Sequence, residues 1–169
     1  PPTLFDRLRA MLALAPGALP PPGPAAGTVF PAQGTRRGRV ALLQGCAQQV
    51  LGPNINQAAI RLLTRFGVEV VLVADEQCCG SLTHHMGRDD DALHRAKANI
   101  DVWVREADAH GLDAILVTTS GCGTTIKDYG YLLREDKAYA DKAARVSKLA
   151  KDITEYLAVL DVQWPRPQN

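Results

Sequence analysis

Apolar residues recur along the chain in two alternating patterns, which predict alternating strands and helices. Continuous apolar runs typical of strands buried on both faces occupy residues 40–43, 68–74 and 114–119. Apolar residues at helical spacing predict helices over about 55–66, 90–110, 120–133 and 138–157. This alternation favours right-handed crossovers, and so a Rossmann-like or flavodoxin-like three-layer α/β sandwich with a small, mostly parallel sheet.

The start of the chain differs in composition from the rest. Residues 3–14 carry leucines and a methionine at helical spacing, and a stretch rich in Pro, Gly and Ala follows. We therefore predict an N-terminal helix and a semi-rigid Pro-rich linker over residues 1–34. A cysteine-rich domain is predicted over 35–162 and a C-terminal linker over 163–169. Because the chain opens at Pro1 rather than at methionine, we expect a fragment of a longer protein.

Composition and charge exclude several classes of function. The chain of 169 residues is 46% hydrophobic, but no apolar run approaches the roughly 20 residues of a membrane span, so none is predicted. Its 19 basic and 18 acidic residues form no basic stripe, which argues against a nucleic acid partner. Charged residues interrupt the opening apolar stretch, so no signal peptide is predicted. Four cysteines in a chain without an export signal indicate a reducing compartment, the cytoplasm.

All four cysteines follow predicted strands: Cys46, the Cys78-Cys79 doublet and Cys122. Working sites of parallel sheets lie beyond the carboxyl ends of the strands, so the sequence predicts that the thiols converge there. Neighbouring residues in extended chain point to opposite sides, which suits one tetrahedral zinc ion poorly. A cluster of several irons removes that difficulty, because each thiolate can bind a different iron. The pattern favours a metal or redox centre.

Small and polar residues surround the cysteines and are predicted to line the site. Glycines there allow a cluster or a partner to approach the backbone closely. Hydroxyls can donate to sulfur or cap the helix that Cys122 begins, whose N-terminus would stabilise a thiolate. The predicted lining residues are Gly45, Gly80, His84, His85, Ser120, Gly121, Gly123 and Thr124.

Other interpretations of the cysteines stay open at this point. They could fill the core as small hydrophobic residues, although Gly-rich junctions are unusual places for that role. Cys78 and Cys79 could form a vicinal disulfide switch. A thiol hydrolase with His84 or His85 as its base is a third interpretation, but no oxyanion-hole motif accompanies it. The loop after Ser120 lacks the Walker spacing, which argues against a nucleotide site.

Four segments resemble the cysteine-rich CCG domain family. They are Gly45-Cys46-Ala47-Gln48, Cys78-Cys79-Gly80, Ser120-Gly121-Cys122-Gly123 and Lys127-Asp128-Tyr129-Gly130. Within that family the chain is most similar to the iron–sulfur subunits of bacterial glycolate oxidases, over about residues 36–160.

The resemblance implies a role in electron transfer. In those oxidases a flavin subunit converts glycolate to glyoxylate, and the iron–sulfur subunit carries the electrons onward. The resemblance assigns Cys46, Cys78, Cys79 and Cys122 as ligands of an iron–sulfur cluster, of the 4Fe-4S type. It implies flavin-binding subunits as partners, and a ferredoxin-like domain and a second CCG domain in the same subunit.

The resemblance also implies a component of an oxidoreductase, cytoplasmic or peripheral at the inner membrane. No glycolate turnover is expected from this chain alone, because the sequence shows no flavin site. The alternative is a zinc-binding or metal-free structural module that docks the flavin subunit.

The chain departs from the family pattern in three ways. It has no C-x₂-C-x₂-C-x₃-C-P run, so ferredoxin clusters are not expected on it. It has one CCG module where the family shows two. Thr119 stands where the family's final C-x₂-C has its first cysteine, which leaves one thiol in that segment. A site of four thiols, a cluster shared with the missing module and no stable cluster in this chain alone all stay open at this point.

Overall fold

A computed structural model of the chain describes residues 3–14 and 17–162, so the predicted linker at 163–169 lies outside the described residues. The described elements, in chain order, are α1 (Leu4–Ala13), β1 (Val29–Phe30), β2 (Gly38–Leu42), α2 (Gln48–Leu51), α3 (Pro53–Arg65), β3 (Val68–Val71), α4 (Ser81–His85), α5 (Asp89–His110), β4 (Ala114–Val117), α6 (Ser120–Lys127), α7 (Tyr129–Leu132), α8 (Ala140–Leu149), β5 (Ala150–Asp152) and α9 (Ile153–Val159).

The strands form one mostly parallel sheet, as predicted. Their order is β1-β3-β2-β4-β5, and only the β1–β3 pair is antiparallel. In register, Val40 of the central strand β2 lies opposite Val70 of β3 and Ala114 of β4. The chain winds from β2 to β3 on one side and then crosses to β4 on the other. This reversal is the topological switch point of a doubly wound sheet, where such folds place their sites.

Helices cover both faces of the sheet and make the three-layer sandwich that the pattern predicts. Alternate residues of β2 point to opposite faces. Val40 and Leu42 belong to a core that includes Leu63 of α3 and Tyr156 of α9. Ala41 and Leu43 of the same segment belong to the other core, with Ile100 and Trp103 of α5 and Val146 of α8.

The single helix predicted over 138–157 is wrong, because a strand divides it into α8 and α9. The backbone becomes extended at Ala150. The three residues of β5 then pair with β4, and Asp152 lies opposite Val117. Asp152 then caps α9 through a capping box with Glu155. The apolar spacing runs on across a strand this short, so periodicity alone predicts one helix.

Smaller differences concern short elements. The helix predicted over 120–133 ends at Lys127, and α7 follows as a separate turn. Residues at the end of the predicted Pro-rich linker form β1, which pairs Val29 with Val71 at the sheet edge. The helix predicted over 3–14 is confirmed as α1. No helix among the described residues combines the length and apolar character of a membrane span.

Candidate metal centre

The fold brings the four thiols to the carboxyl edge of the sheet. Cys46 follows β2, the Cys78-Cys79 doublet follows β3, and Cys122 lies in the first turn of α6, just beyond β4. Because β2 and β4 flank the switch point, Cys46 and Cys122 lie directly beside it. The doublet reaches the same place from the end of β3. The sequence contains no other cysteine.

The thiols meet as two pairs drawn from different segments. Cys46 Sγ donates a hydrogen bond to Cys78 Sγ, 3.4 Å away. The Cys79 thiol hydrogen-bonds to Cys122. Cys79 is 3% exposed and belongs to the core around α5, whereas Cys46 is exposed to solvent. The site therefore runs from the protein surface at Cys46 into the core at Cys79.

The hydrogen bond between Cys79 and Cys122 shifts the pKa values of the two thiols in opposite directions. The bond from Cys79, helped by one from the Thr119 side chain, lowers the pKa of Cys122 to about 6. The same bond to Cys122, together with burial, raises the pKa of Cys79. Loss of hydration and the contact with Cys78 raise the pKa of Cys46. Cys122 is thus the thiol most ready to act as a thiolate, which is the form that binds metals.

Two fully buried side chains hold the backbone of the doublet. Asn99 of α5 accepts from the Gln77 N–H through Oδ1 at 2.7 Å. Its Nδ2 donates to the carbonyls of Gln77 at 3.2 Å and Cys78 at 3.3 Å. The Tyr129 hydroxyl donates to the Cys79 carbonyl at 2.7 Å. These bonds hold the backbone of the doublet and leave its two sulfur atoms to face the other thiols.

Glu76 joins the β2 and β3 ends of the site. Its carboxylate accepts from the Gln44 backbone N–H at 3.0 Å and from Trp103 Nε1 at 3.0 Å. Burial is the main cause that raises the pKa of Glu76 from its ordinary 4.5 to about 7. This carboxyl links the loop that carries Cys46 to the helix that supports the doublet.

A second polar network fixes the Cys46 loop to β4. Asn56 of α3 donates to the Gln44 carbonyl at 2.9 Å, and its Oδ1 accepts from Thr118 at 2.9 Å. Gln48, at the start of α2, donates to the Thr118 hydroxyl at 2.6 Å. The strand ends on both sides of the switch point are therefore tied together by side chains.

The four predicted glycines have different structural roles. Gly45 and Gly80 have φ of +72° and +85°, a conformation that side chains disfavour. A Cβ on Gly80 would lie 3.0 Å from the Ala92 carbonyl oxygen, and one on Gly123 would lie 2.8 Å from Val117. A Cβ on Gly121 would have no atom within 4 Å. Gly80 and Gly123 are thus required by packing, whereas Gly121 borders open space.

The hydroxyls of Thr124 and Thr125 bond to backbone rather than to sulfur. Thr124 Oγ1 donates to the Ser120 carbonyl at 3.1 Å, and Thr125 makes the same bond to Gly121. The side chain that hydrogen-bonds to Cys122 from this segment is Thr119. The residue at the family's missing cysteine position thus contacts the remaining sulfur.

The two histidines of α4 border a separate cavity beside the thiols. His84 Nδ1 lies 2.7 Å from Asp89 Oδ1, and the His84 and His85 rings are tilted with centroids 6.1 Å apart. The cavity holds about 440 Å³. It is lined by His84, His85, Gly121, Thr124, Thr125, Asp128, Tyr131 and Leu132. Gly121 and Thr124 thus line this cavity together with the two histidines.

The donor set has the chemistry of an iron–sulfur site rather than of a hydrolase. In the part of the chain that the structure describes, no three His, Cys, Asp or Glu side chains are arranged to bind one metal ion. Four cysteine thiols at one edge are the usual type and number of ligands for an iron–sulfur cluster, in which each sulfur binds a separate iron. The residues therefore fit an iron–sulfur cluster in donor type and number.

Sequence reasoning gave no supporting role to the residues that hold the thiols, although Gln48 and Tyr129 stand in segments that carry the family resemblance. The supporting residues are Gln48, Asn56, Glu76, Asn99, Thr118, Thr119 as a sulfur contact, and Tyr129 as a backbone clamp. Asn99 carried a usable signal, because a polar residue interrupts the apolar inner face of α5 next to Ile100. For Asn56 and Thr118 no local pattern exists, since their bonds join segments 62 residues apart.

Comparisons with known proteins identify the family of the chain. Residues 40–127, more than half of the chain, match the family model of the cysteine-rich CCG domain. The glycolate oxidase iron–sulfur subunit of Escherichia coli is 46% identical over 119 residues, which cover 70% of this chain and 29% of that protein. Lactate utilization protein A of an Exiguobacterium species is 29% identical over 127 residues, 73% of this chain and 50% of that protein.

The chain therefore spans less than a third of its Escherichia coli relative and half of the Exiguobacterium one. No solved structure gives a significant match. The matched residues contain all four thiols, the whole of β4 and the last three residues of β2. On its family match, this chain belongs to the cysteine-rich CCG domain family.

Proposed function

We propose that this chain is the cysteine-rich module of the iron–sulfur subunit of a glycolate-oxidising enzyme and takes part in electron transfer from a flavin subunit. The observation that carries the proposal is the convergence of four thiols from three strand ends at the switch point. The identity of 46% to a protein named as such a subunit supports the substrate and the cofactor class.

In this proposal, Cys46, Cys78, Cys79 and Cys122 bind a 4Fe-4S cluster, which supplies one-electron chemistry when bound. The chain's own residues prepare the sulfur atoms for it. Asn99 and Tyr129 hold the doublet in position. Hydrogen bonding keeps Cys122 in its thiolate form at neutral pH, because the pKa of that thiol is lowered to about 6.

The proposal gives the chain no role in binding glycolate. Cys122 has the lowered pKa of a nucleophile, but its hydrogen-bond partners are Cys79 and Thr119 rather than an imidazole base. His84 is instead paired with Asp89. We propose residues 35–162 as the module, flavin subunits and the remaining domains of its own subunit as partners, and the cytoplasm, peripheral to the inner membrane, as its location.

Anaerobic reconstitution of the full chain with ferrous iron and sulfide tests the proposal. We expect bound iron and acid-labile sulfide with a brown absorbance, and loss of both in Cys79→Ser. Lys148→Ser, on the exposed side of α8 away from the thiols, is the control and should load like the wild type. Equal loading of wild type and Cys79→Ser would show that the iron is adventitious.

The structural alternative makes an opposite prediction in the same experiment. A zinc module would bind zinc, without sulfide, in preference to iron. Zinc needs four ligands arranged around one ion, and the described thiols form two pairs instead. Zinc that survives dialysis in the wild type and is lost in Cys79→Ser would therefore replace the electron-transfer proposal with a structural one.

A further inference from the structure

Helix α1 is amphipathic and buries none of its residues. Leu4, Leu8, Met11 and Leu12 form one apolar side, and they are 70%, 45%, 68% and 74% exposed. A capping box between Thr3 and Asp6 fixes where the helix begins. A helix of ten residues is nevertheless marginal in water on its own, so α1 needs an apolar surface to be stable.

An exposed apolar patch lies beside the most exposed thiol. Val50 and Leu51 of α2 are 48% and 66% exposed, and Ile55 of α3 is 48% exposed. These three residues, called here the α2 patch, lie at the junction of two consecutive helices. Cys46 precedes Val50 by four residues, at the turn that leads into α2.

The linker is attached to the protein next to this patch. The Pro24 carbonyl accepts from Gln44 Nε2 at 2.9 Å, two residues before Cys46. A Cβ on Gly23 would lie 3.5 Å from the Pro53 side chain, at the start of α3. The linker therefore leaves the domain at the edge where the α2 patch and Cys46 are located.

The length of the linker keeps α1 near that edge. Eight residues separate Leu14 from Gly23, and a Pro-rich chain of that length reaches at most about 25 Å at about 3.1 Å per residue. The helix itself is about 15 Å long. A tether this short gives an effective concentration in the millimolar range for surfaces at its attachment point, well above that of a second chain at micromolar concentration.

We propose that α1 packs its apolar side onto the α2 patch of the same chain and covers Cys46. Leu8 and Met11 lie at the centre of that side and make the main contact, while Ala10 stays on the opposite, solvent side. The contact buries two apolar surfaces that otherwise face water. It also excludes water and oxidants from the thiol at the surface end of the metal centre.

Hydrogen exchange on the reduced, metal-free full chain tests the packing. Docking should slow the exchange of α1 amides about tenfold relative to an undocked short helix. Leu8→Asp and Leu51→Asp should each abolish that protection. Ala10→Asp introduces the same charge on the solvent side of α1 and should retain it. If Leu8→Asp abolishes the protection of the α1 amides and Leu51→Asp does not, the α2 patch is not the docking surface.

Alkylation of Cys46 supplies a second readout. A docked helix populated about ten to one should slow the reaction of Cys46 with N-ethylmaleimide about tenfold, as followed by peptide mass mapping. Leu8→Asp should restore the fast rate and Ala10→Asp should not. Protection of α1 that falls on dilution through the micromolar range would assign the contact to a second copy and overturn the proposal.

Discussion

Cys46 and Cys78, 32 residues apart in sequence, lie with their sulfur atoms 3.4 Å apart. Cys79, the chain neighbour of Cys78, hydrogen-bonds to Cys122 instead. The doublet thus divides its two thiols between two other segments, as expected for neighbouring residues in extended chain. The chemistry of the site is set by these pairs between segments rather than by the doublet itself.

Mild oxidation of the metal-free chain should therefore join Cys46 to Cys78. With hydrogen peroxide as oxidant, the two thiols lose two protons and two electrons, and the peroxide becomes two waters. Peptide mass mapping should find the 46–78 crosslink, absent in Cys46→Ser and retained in Cys122→Ser. A predominant Cys78–Cys79 crosslink would contradict the pairing and would support the vicinal disulfide instead.

Tyr129→Phe should weaken the clamp on the doublet without changing the packing. The substitution removes the hydroxyl that donates to the Cys79 carbonyl and leaves a buried acceptor unpaired. We expect the free energy of unfolding to fall by about 1–2 kcal/mol in urea denaturation. Tyr131→Phe, on the same short helix but 67% exposed, is the matched control and should stay within about 0.5 kcal/mol of the wild type.

Gly80→Ala should destabilise the chain because the position needs glycine. The backbone has φ +85°, and the new Cβ would meet the Ala92 carbonyl oxygen at 3.0 Å. We expect a loss of about 1–3 kcal/mol in the free energy of unfolding. Gly121→Ala should be neutral or stabilising by up to about 1 kcal/mol, since it adds a helix-favouring residue in open space. Equal losses in both variants would show that backbone geometry is not the cause.

Glu76 should make stability depend on pH. Because burial raises the pKa of Glu76 to about 7, the folded state holds a proton that the unfolded state releases above about 4.5. The folded state is therefore favoured at low pH, and this advantage is lost as the pH rises through 7. Relative to Glu76→Gln, the wild type should lose roughly 3 kcal/mol of stability between pH 4.5 and 8.

Urea denaturation of both proteins at several pH values measures this difference. Cys122, whose pKa is lowered to about 6, makes folding more favourable as the pH rises. Both proteins contain this thiol, so the difference between their unfolding free energies reports mainly on Glu76. A difference that stays constant with pH would show that Glu76 is ionised in the folded state across the whole range.

The three central strands, β2, β3 and β4, were predictable because they are buried on both faces. Val40, Val70 and Ile115 belong to continuous apolar runs, and a run of that kind followed by a helical pattern implies a parallel crossover. β5 was not predictable from periodicity, since three residues are too few to interrupt the helical spacing around them. The Asp152–Glu155 capping box carried a local signal for the new helix start, which periodicity does not use.

The thiols of the candidate site were predictable, but their surroundings were not. Each cysteine follows a predicted strand, and the parallel topology then brings the strand ends together. Which thiol pairs with which depends on side-chain directions in loops. The clamps depend on contacts such as Tyr129 to Cys79, which join residues 50 positions apart. A single sequence contains no local pattern for such contacts.

The hydrogen bonds from Asn99 and Tyr129 to the doublet have a consequence for electron transfer. The backbone of Gln77–Cys79 cannot shift without breaking several buried bonds at once, so the polypeptide there resists displacement. A redox centre in such a frame changes charge with little movement of its surroundings, which keeps its reorganisation energy low. For the cluster proposed above, the buried amide and phenol would therefore favour fast electron transfer, although neither touches a sulfur atom in the described bonds.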